Sequence, residues 1–225
     1  MTDTATIDAI TLPAAASEAT SAFVDAGAVL AVLPEVTPQD HHDAMAWLLL
    51  TQLAADKQHH RVDNPDRWRQ SFDSTASALR LVERTKATRT VSGTGSIADL
   101  LVTEFSGASA KALSAALAAV ADTGATGEGR LLVQHAQSGN KAHVLAGVVS
   151  NGADEVIIDL VSVLYPVDST SGRSILAADV SSKQLTLTTS QLVLSSDMAQ
   201  QLREAIYDKL GMLVQEKIMH VPLHG

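Results

Sequence analysis

The chain has 225 residues, a net charge of −9 and no cysteine. That length suffices for one large domain whose core needs no staples. The missing thiols exclude disulfides, thiolate zinc sites and a cysteine nucleophile, and the acidity argues against nucleic acid as the main partner, because phosphate neutralisation requires basic surface.

The opening MTDTATIDAITLPAAA places no Lys or Arg ahead of its apolar residues, which does not fit a Sec signal peptide. The expectation is a soluble cytosolic product without such a leader, any release taking a non-classical route. Charge is uneven. Positions 1–60 hold eight acids and one base, Lys57, whereas positions 61–89 hold seven bases (Arg61, Arg67, Arg69, Arg80, Arg84, Lys86, Arg89) against four acids. Such a run reads first as a solvated helix face and second as a surface for anionic headgroups.

In chain order, AFVDAGAVLAVL (22–33) is a short strand or a helix that period alone does not decide. TPQD then gives a helix start: Thr37 as N-cap, Pro38 at the first helical position and Asp40 three residues past the cap, for a helix over about 38–60. NPDRW repeats the device with Asn64 and Pro65. Trp68, Phe72, Thr75, Ala76, Leu79 and Val82 follow at three- and four-residue steps, which predicts an amphipathic helix to about 85.

KATRTVS (86–92) alternates and reads as a strand. Ser96 with Asp99 caps a helix near 97–105, and a further helix over 109–121 carries Lys111 as its one charge. DTGATGEG then reads as a loop. From Arg130 the period shortens. RLLVQHAQ, KAHVLAGVV and DEVIIDLVSVLY read as three antiparallel strands joined by SGN and by SNGA, whose Asn151-Gly152 pair is a hairpin signal. The second and third are apolar on both parities, so both faces of the sheet must be covered, and the flanking helices are the available cover. After PVDSTSGR come SILAADV, a strand or a short helix, the strand KQLTLTTSQLVL, and a last helix capped at Ser195 or Ser196. The predicted fold is α+β, three layers with a central antiparallel sheet between helices. It forms one domain over 1–225, with a helical half at about 37–122, a β-rich half at about 129–194 and a C-terminal helix at about 196–216.

Catalytic and ligand-binding signatures are weak. In HHDAMAWLLLTQLAADKQHH (41–60) the two histidine pairs flank an apolar helix and stand roughly 27 Å apart at ~1.5 Å per residue, so one ion cannot bridge them. They are candidate pH-sensitive flanks. The remaining helical option for a metal is Asp56 with His59 or His60, set against solvated helix ends. His135 and His143 would lie on adjacent strands, and hairpin register decides whether they meet: a two-residue loop at Gly139-Asn140 sets them on opposite faces. SGTGS (92–96) lacks the spacing of a phosphate loop and reads as a turn. No G-x-S-x-G is present. The expectation is a protein without catalysis, cofactor or metal.

With one charge, the Ala-rich helix over 108–121 must either pack small residues closely against the sheet or serve as a helix that leaves the sheet to lie in a bilayer interface. It is mostly Ala and Ser and lacks the hydrophobicity of a spanning segment. The residues set to meet lipid are Trp47, Leu48, Leu49 and Leu50 in the first helix and Leu113, Leu117 and Val120 in this one.

The order of elements, together with the ending LTLTTSQLVLSSDMAQQLREAIYDKLG of strand, serine turn and amphipathic helix, resembles the Cyt-type cytolytic δ-endotoxins, in which helical hairpins cover both faces of an antiparallel sheet. The chain departs from that family in its aromatic content of 3% and its Ala-rich helices. The resemblance implies a soluble, non-enzymatic protein that binds a lipid membrane or lipid ligand and changes conformation, or forms a homo-oligomer there, to permeabilise it. The alternative it leaves open is a non-toxic interaction or lipid-carrier protein of the same fold.

Overall fold

The computed structural model describes residues 20–124, 126–167 and 175–223. The N-terminal segment and most of the PVDSTSGR loop discussed above lie outside them. One eight-stranded mixed sheet organises the rest, in the order β3 (Val82–Ser92), β7 (Gln184–Ser195), β6 (Glu155–Pro166), β5 (Lys141–Asn151), β2 (Ala28–Val32), β1 (Ser21–Asp25) and β8 (Ile218–Val221), with the two-residue β4 (Gln137–Ser138) beside β5. The ambiguous segment near the start is a hairpin, β1 (Ser21–Asp25) and β2 (Ala28–Val32), buried at every position. That uniform burial is why alternation could not identify it. β2 joins β5 (Lys141–Asn151) in parallel register, Ala28 opposite Leu145, whereas the other pairings are antiparallel. The all-antiparallel expectation is thus corrected at one seam: a strand arriving from more than 100 positions away in sequence is not bound by hairpin geometry.

Helix α1 (Pro38–Gln58) starts as its capping residues dictate: Thr37 accepts from the Asp40 amide at 3.2 Å and Pro38 opens the first turn. Helix α2 (Pro65–Ala78) ends earlier than its periodicity predicts. Arg80 takes a left-handed φ of 64°, and the chain turns into β3 (Val82–Ser92), which absorbs the predicted strand at 86–92. Val82 is therefore an exposed strand residue.

Helices α3 (Ile97–Val102) and α4 (Gly107–Thr123) follow. Between β3 and α3, SGTGS is a turn whose Gly93 and Gly95 amides are used within the protein, on the Lys183 carbonyl and the Ser181 hydroxyl. Where a strand was predicted over RLLVQHAQ, the structure has α5 (Gly127–Ala136). Leu131, Leu132 and Ala136 fall on one helical face, a spacing that a short apolar run shares with a doubly buried strand. The loop DTGATGEG shrinks accordingly.

Strand β5 and β6 (Glu155–Pro166) form the hairpin expected at Asn151-Gly152. A 3-10 turn at Ile175–Ala177 and β7 (Gln184–Ser195) lead to α6 (Ser196–Leu210). Gly211, at φ 52°, breaks the predicted C-terminal helix. A short α7 (Leu213–Lys217) follows, then β8 (Ile218–Val221), an edge strand on β1 with no counterpart in the sequence reading.

Two cores result, one on each side of the sheet. One lies under α3, α4 and α5 and takes Val24, Val29, Val144, Val148 and Val161 from the strands. The other lies under α1, α2, α6 and α7 and takes Phe23, Leu30, Leu145, Val149, Ile158 and Leu160. Both faces of β5 and β6 are covered as predicted, with Ile157 half-buried. Cover fails at one corner: β3 is exposed along nearly its whole length. Its Glu83, Arg84, Lys86 and Arg89 keep that free edge from pairing with another chain.

Candidate functional site: two helical covers and a buried ion cluster

The residues set to meet lipid fall into two groups on opposite sides of the sheet. Trp47, Leu48 and Leu49 are fully buried in the α1 core, with Leu50 packed at its border. Leu113, Leu117 and Val120 are fully buried in the α4 core. The structure does not bring the groups together, and either reaches lipid only if its helix leaves the sheet. Among the described residues, no helix is long and apolar enough to cross a membrane.

The two helices are held differently. Helix α1 is buried against α2, α6 and the sheet, and polar side chains tie it down. The Trp47 indole donates to the Leu79 carbonyl at 3.0 Å. Asp43, wholly buried, accepts from Arg203 of α6 through Nε at 3.0 Å and Nη2 at 2.7 Å, and from Gln39 at 3.0 Å.

A second buried cluster closes the end of α1. Arg61, 1% exposed, donates through Nη2 and Nε to the two oxygens of Asp56 at 2.7 and 2.9 Å, and through Nη1 to Gln52 at 3.2 Å. Its guanidinium carbon lies 4.8 Å from the centre of the Trp68 ring, whose indole N–H donates to Asp56 at 2.6 Å. His135 of α5 stands 3.8 Å from Asp56, an ion-pair distance beyond hydrogen-bond reach. Burial pushes the Asp56 carboxyl up, but His135 and the donors of Arg61 and Trp68 outweigh it and hold the group at about 2.

Gln52 continues the network to the β1–β2 turn, donating to the Asp25 carbonyl and accepting from the Gly27 amide. Gly27 is required there, because a Cβ would lie 1.7 Å from Arg61 Nη1. Both Asp25 carboxyl oxygens are buried without a hydrogen-bond partner, and burial pushes this group well above the usual carboxylate range despite the nearby Arg61 charge.

Sequence reasoning missed this cluster because Arg61 opens the basic run and reads as surface. No spacing rule reveals that five of those seven bases are taken. Arg61 pairs with Asp56, Arg69 and Lys86 share Asp73 and Glu83, Arg84 holds Glu155, and Arg89 holds Glu104. The headgroup-binding face suggested for that run is thereby internally neutralised. The Asp56 pairing also displaces the alternative that joined it to His59 or His60, and His135 and His143 sit on a helix and a strand instead of adjacent strands. Among the described residues no group of three or more His, Cys, Asp or Glu is placed to hold a metal.

At the start of α1, His41 is 2% exposed and its Nε2 has no partner. Its ring lies 4.4 Å from Phe23 and 5.1 Å from His42. Burial first, and then the neighbouring His42 and His220 rings, lower His41 to about 4.

Helix α4 has no such ties. Among the described residues, none of its side chains forms an ion pair or a hydrogen bond to the sheet; Thr123 alone bonds outside the helix, to the Gly129 amide. Its inner face is Ala112, Leu113, Ala116, Leu117 and Val120. The exposed outer face is Ala108, Ser114, Ala115 and Ala118, with Lys111 and Asp122 as its charges. Gly107 and Gly124 bound it at φ 56° and 59°, with open space around both.

Fold and site define a three-layer α+β protein whose apolar helices cover both faces of one sheet, one cover locked by buried ions and the other held by apolar packing. No protein-family model matches the chain, and no curated protein is similar to it in sequence. Among solved structures it is similar to the Evf virulence factor at 8% identity and a TM-score of 0.40, over 86% of this chain and 82% of that one. It is likewise similar to a delta-endotoxin at 13% identity and a TM-score of 0.41, over 83% of this chain and 86% of that one. No residue role passes from either structure to this chain.

Proposed function

We propose that the protein acts on membranes without catalysis: it binds lipid through its helical covers, releasing α4 from the sheet, and permeabilises the bilayer alone or as a homo-oligomer. The observation that carries this reading is the construction of α4. A helix that is apolar inside, nearly uncharged outside, bounded by left-handed glycines and free of polar ties to the sheet loses little on moving from the core to a bilayer interface. Packing against the sheet is then the resting state of a mobile element. Trp47, Leu48, Leu49 and Leu50 would follow only after the buried ion pairs of α1 break.

Dye release from liposomes of several lipid compositions tests this directly. A cysteine pair placed between α4 and β2, where Cα atoms lie about 5.5 Å apart, is expected to leave folding intact and to abolish leakage until reductant is added. No leakage and no lipid binding by the wild-type protein at any pH from about 5 to 8, a range spanning histidine titration, would refute membrane action and leave an interaction or carrier protein. Full leakage by the oxidised, tethered form would refute the release of α4.

A further inference from the structure

The corner of the sheet that the helices leave uncovered contains a cleft of about 560 Å³ between α2 and strands β5, β6, β7 and β3. Its floor is a patch of hydroxyls. Thr88 on β3 stands opposite Thr188 on β7, their hydroxyls 3.0 Å apart, while Ser162 and Leu164 on β6 lie opposite Thr188 and Thr186. Gln70, Arg69, Asp66 and Pro65 of α2 form one wall and Lys86 the other.

At the inner end lies His143, 6% exposed. Its Nδ1 is 3.0 Å from the Arg61 carbonyl oxygen. A carbonyl can only accept, so Nδ1 carries the proton and Nε2 offers a lone pair. Nε2 has no partner among the described residues. Burial, and then the Arg61 charge, lower the ring to about 4, which keeps it neutral. The cleft thus presents an unpartnered acceptor beside hydroxyls that both donate and accept. Its two cations do not favour an anion, because Arg69 and Lys86 are already neutralised by Asp73 and Glu83. Small alcohol side chains on β-branched scaffolds are rigid, so little entropy is lost when they bind.

From this arrangement we propose that the cleft binds the hydroxyl groups of a neutral saccharide, with His143 Nε2 accepting from one of them and Thr88, Ser162, Thr186 and Thr188 contacting the others. The saccharide is either free or the head of a glycolipid. The inference goes beyond membrane action and does not depend on it, since binding is measured without a bilayer.

The test is titration of the ¹⁵N-labelled full chain with methyl glycosides of glucose, galactose, mannose and N-acetylglucosamine, read from amide shifts and from the fluorescence of Trp68, whose ring meets His143 at 5.2 Å. At least one glycoside is expected to shift the amides of Thr88, Ser162, Thr186 and Thr188. The double variant T186V/T188V keeps β-branched shape while deleting two hydroxyls, and should weaken binding about 10–30-fold at roughly 1 kcal/mol per hydrogen bond. T189V, next to Thr188 on β7 but on the opposite face of the sheet, should leave binding unchanged. S162A serves in place of the double variant if that one fails to fold. No shift with any glycoside, undiminished binding by T186V/T188V (or by S162A in its place), or shifts at these residues from inorganic phosphate alone would overturn the proposal. Flotation with phosphatidylcholine vesicles with and without glucosylceramide then identifies the source. Glycolipid-dependent flotation competed by methyl glucoside supports a lipid head, and glycoside binding without vesicle preference supports a free saccharide.

Discussion

Neutralising Asp56 should damage the fold more than removing Arg61, although the two form one ion pair. Asp56→Asn keeps the shape of the side chain and its contact with Trp68 but leaves a guanidinium that is 1% exposed without its counter-charge. Leaving a buried charge unpaired costs about 3–5 kcal/mol, a loss of roughly 6–20 °C in Tm for a domain of this size. Arg61→Met leaves Asp56 behind instead, and Asp56 is 25% exposed and still accepts from the Trp68 indole. Water reaches the remaining charge and the thioether fills the space above Gly27, so the expected cost is about 1–3 kcal/mol. Asp25 adds nothing to the second figure, because burial already favours its neutral acid. Urea unfolding followed by circular dichroism at pH 7, with m-values shown to be equal, gives both numbers. A loss for Arg61→Met equal to or greater than that for Asp56→Asn would refute the argument, and would mean that Arg61 compensates an ionised Asp25.

Acid should weaken the fold through buried neutral histidines. His41 and His143 are both lowered to about 4 from 6.5, so the unfolded chain binds more protons and stability falls as pH drops from about 6.5 to 4, by about 3 kcal/mol for each fully buried ring. His41→Leu should flatten about half of that slope in the urea midpoint. Asp25 works in the opposite sense, losing stability as pH rises, and Asp25→Asn should therefore steepen the fall towards acid in the same assay. Leu117→Ala, at a fully buried position under α4, should cost about 2–5 kcal/mol by the urea midpoint. Arg203→Met leaves the buried Asp43 with Gln39 as its remaining partner and should cost about 3–5 kcal/mol. Native-state hydrogen exchange should show the amides of Leu113, Leu117 and Val120 exchanging before those of Trp47, Leu48 and Leu49.

The elements best legible in the sequence are those whose ends carry their own chemistry. Thr37 with Pro38, Asn64 with Pro65, and Ser96 with Asp99 each start a helix where expected; Thr37 and Ser96 do so by accepting from the backbone amides of Asp40 and Asp99, whereas Asn64 forms no side-chain cap bond and Pro65 alone supplies the local signal. Elements whose identity depends on what covers them are not legible in this way. The β1–β2 hairpin is buried on both faces and shows no alternation, and α5 shows an apolar spacing that fits a strand equally well until Leu131, Leu132 and Ala136 are placed against the sheet. The parallel seam between β2 and β5 and the late strand β8 are long-range choices with no local signal. The lipid candidates were legible as apolar runs, but their separation into two cores was not. The cluster of Asp25, Gln52, Asp56 and Arg61 escaped entirely, since its members are ordinary surface residue types.

The difference between the two covers has a physical origin in what each helix must satisfy. Helix α1 is surrounded by protein on most sides, so its polar residues Asp43, Gln52 and Asp56 require partners, and those partners come from α6, the β1–β2 turn and Arg61. Each partner is directional, and each is lost if the helix moves even slightly, which makes α1 stiff. Helix α4 meets the sheet through Ala, Leu and Val alone, a contact that depends on area and not on direction and that a bilayer interface could replace in kind. Its small side chains also leave less buried area per residue to lose. The chain thus ties α1 with ions and holds α4 by packing between glycine ends.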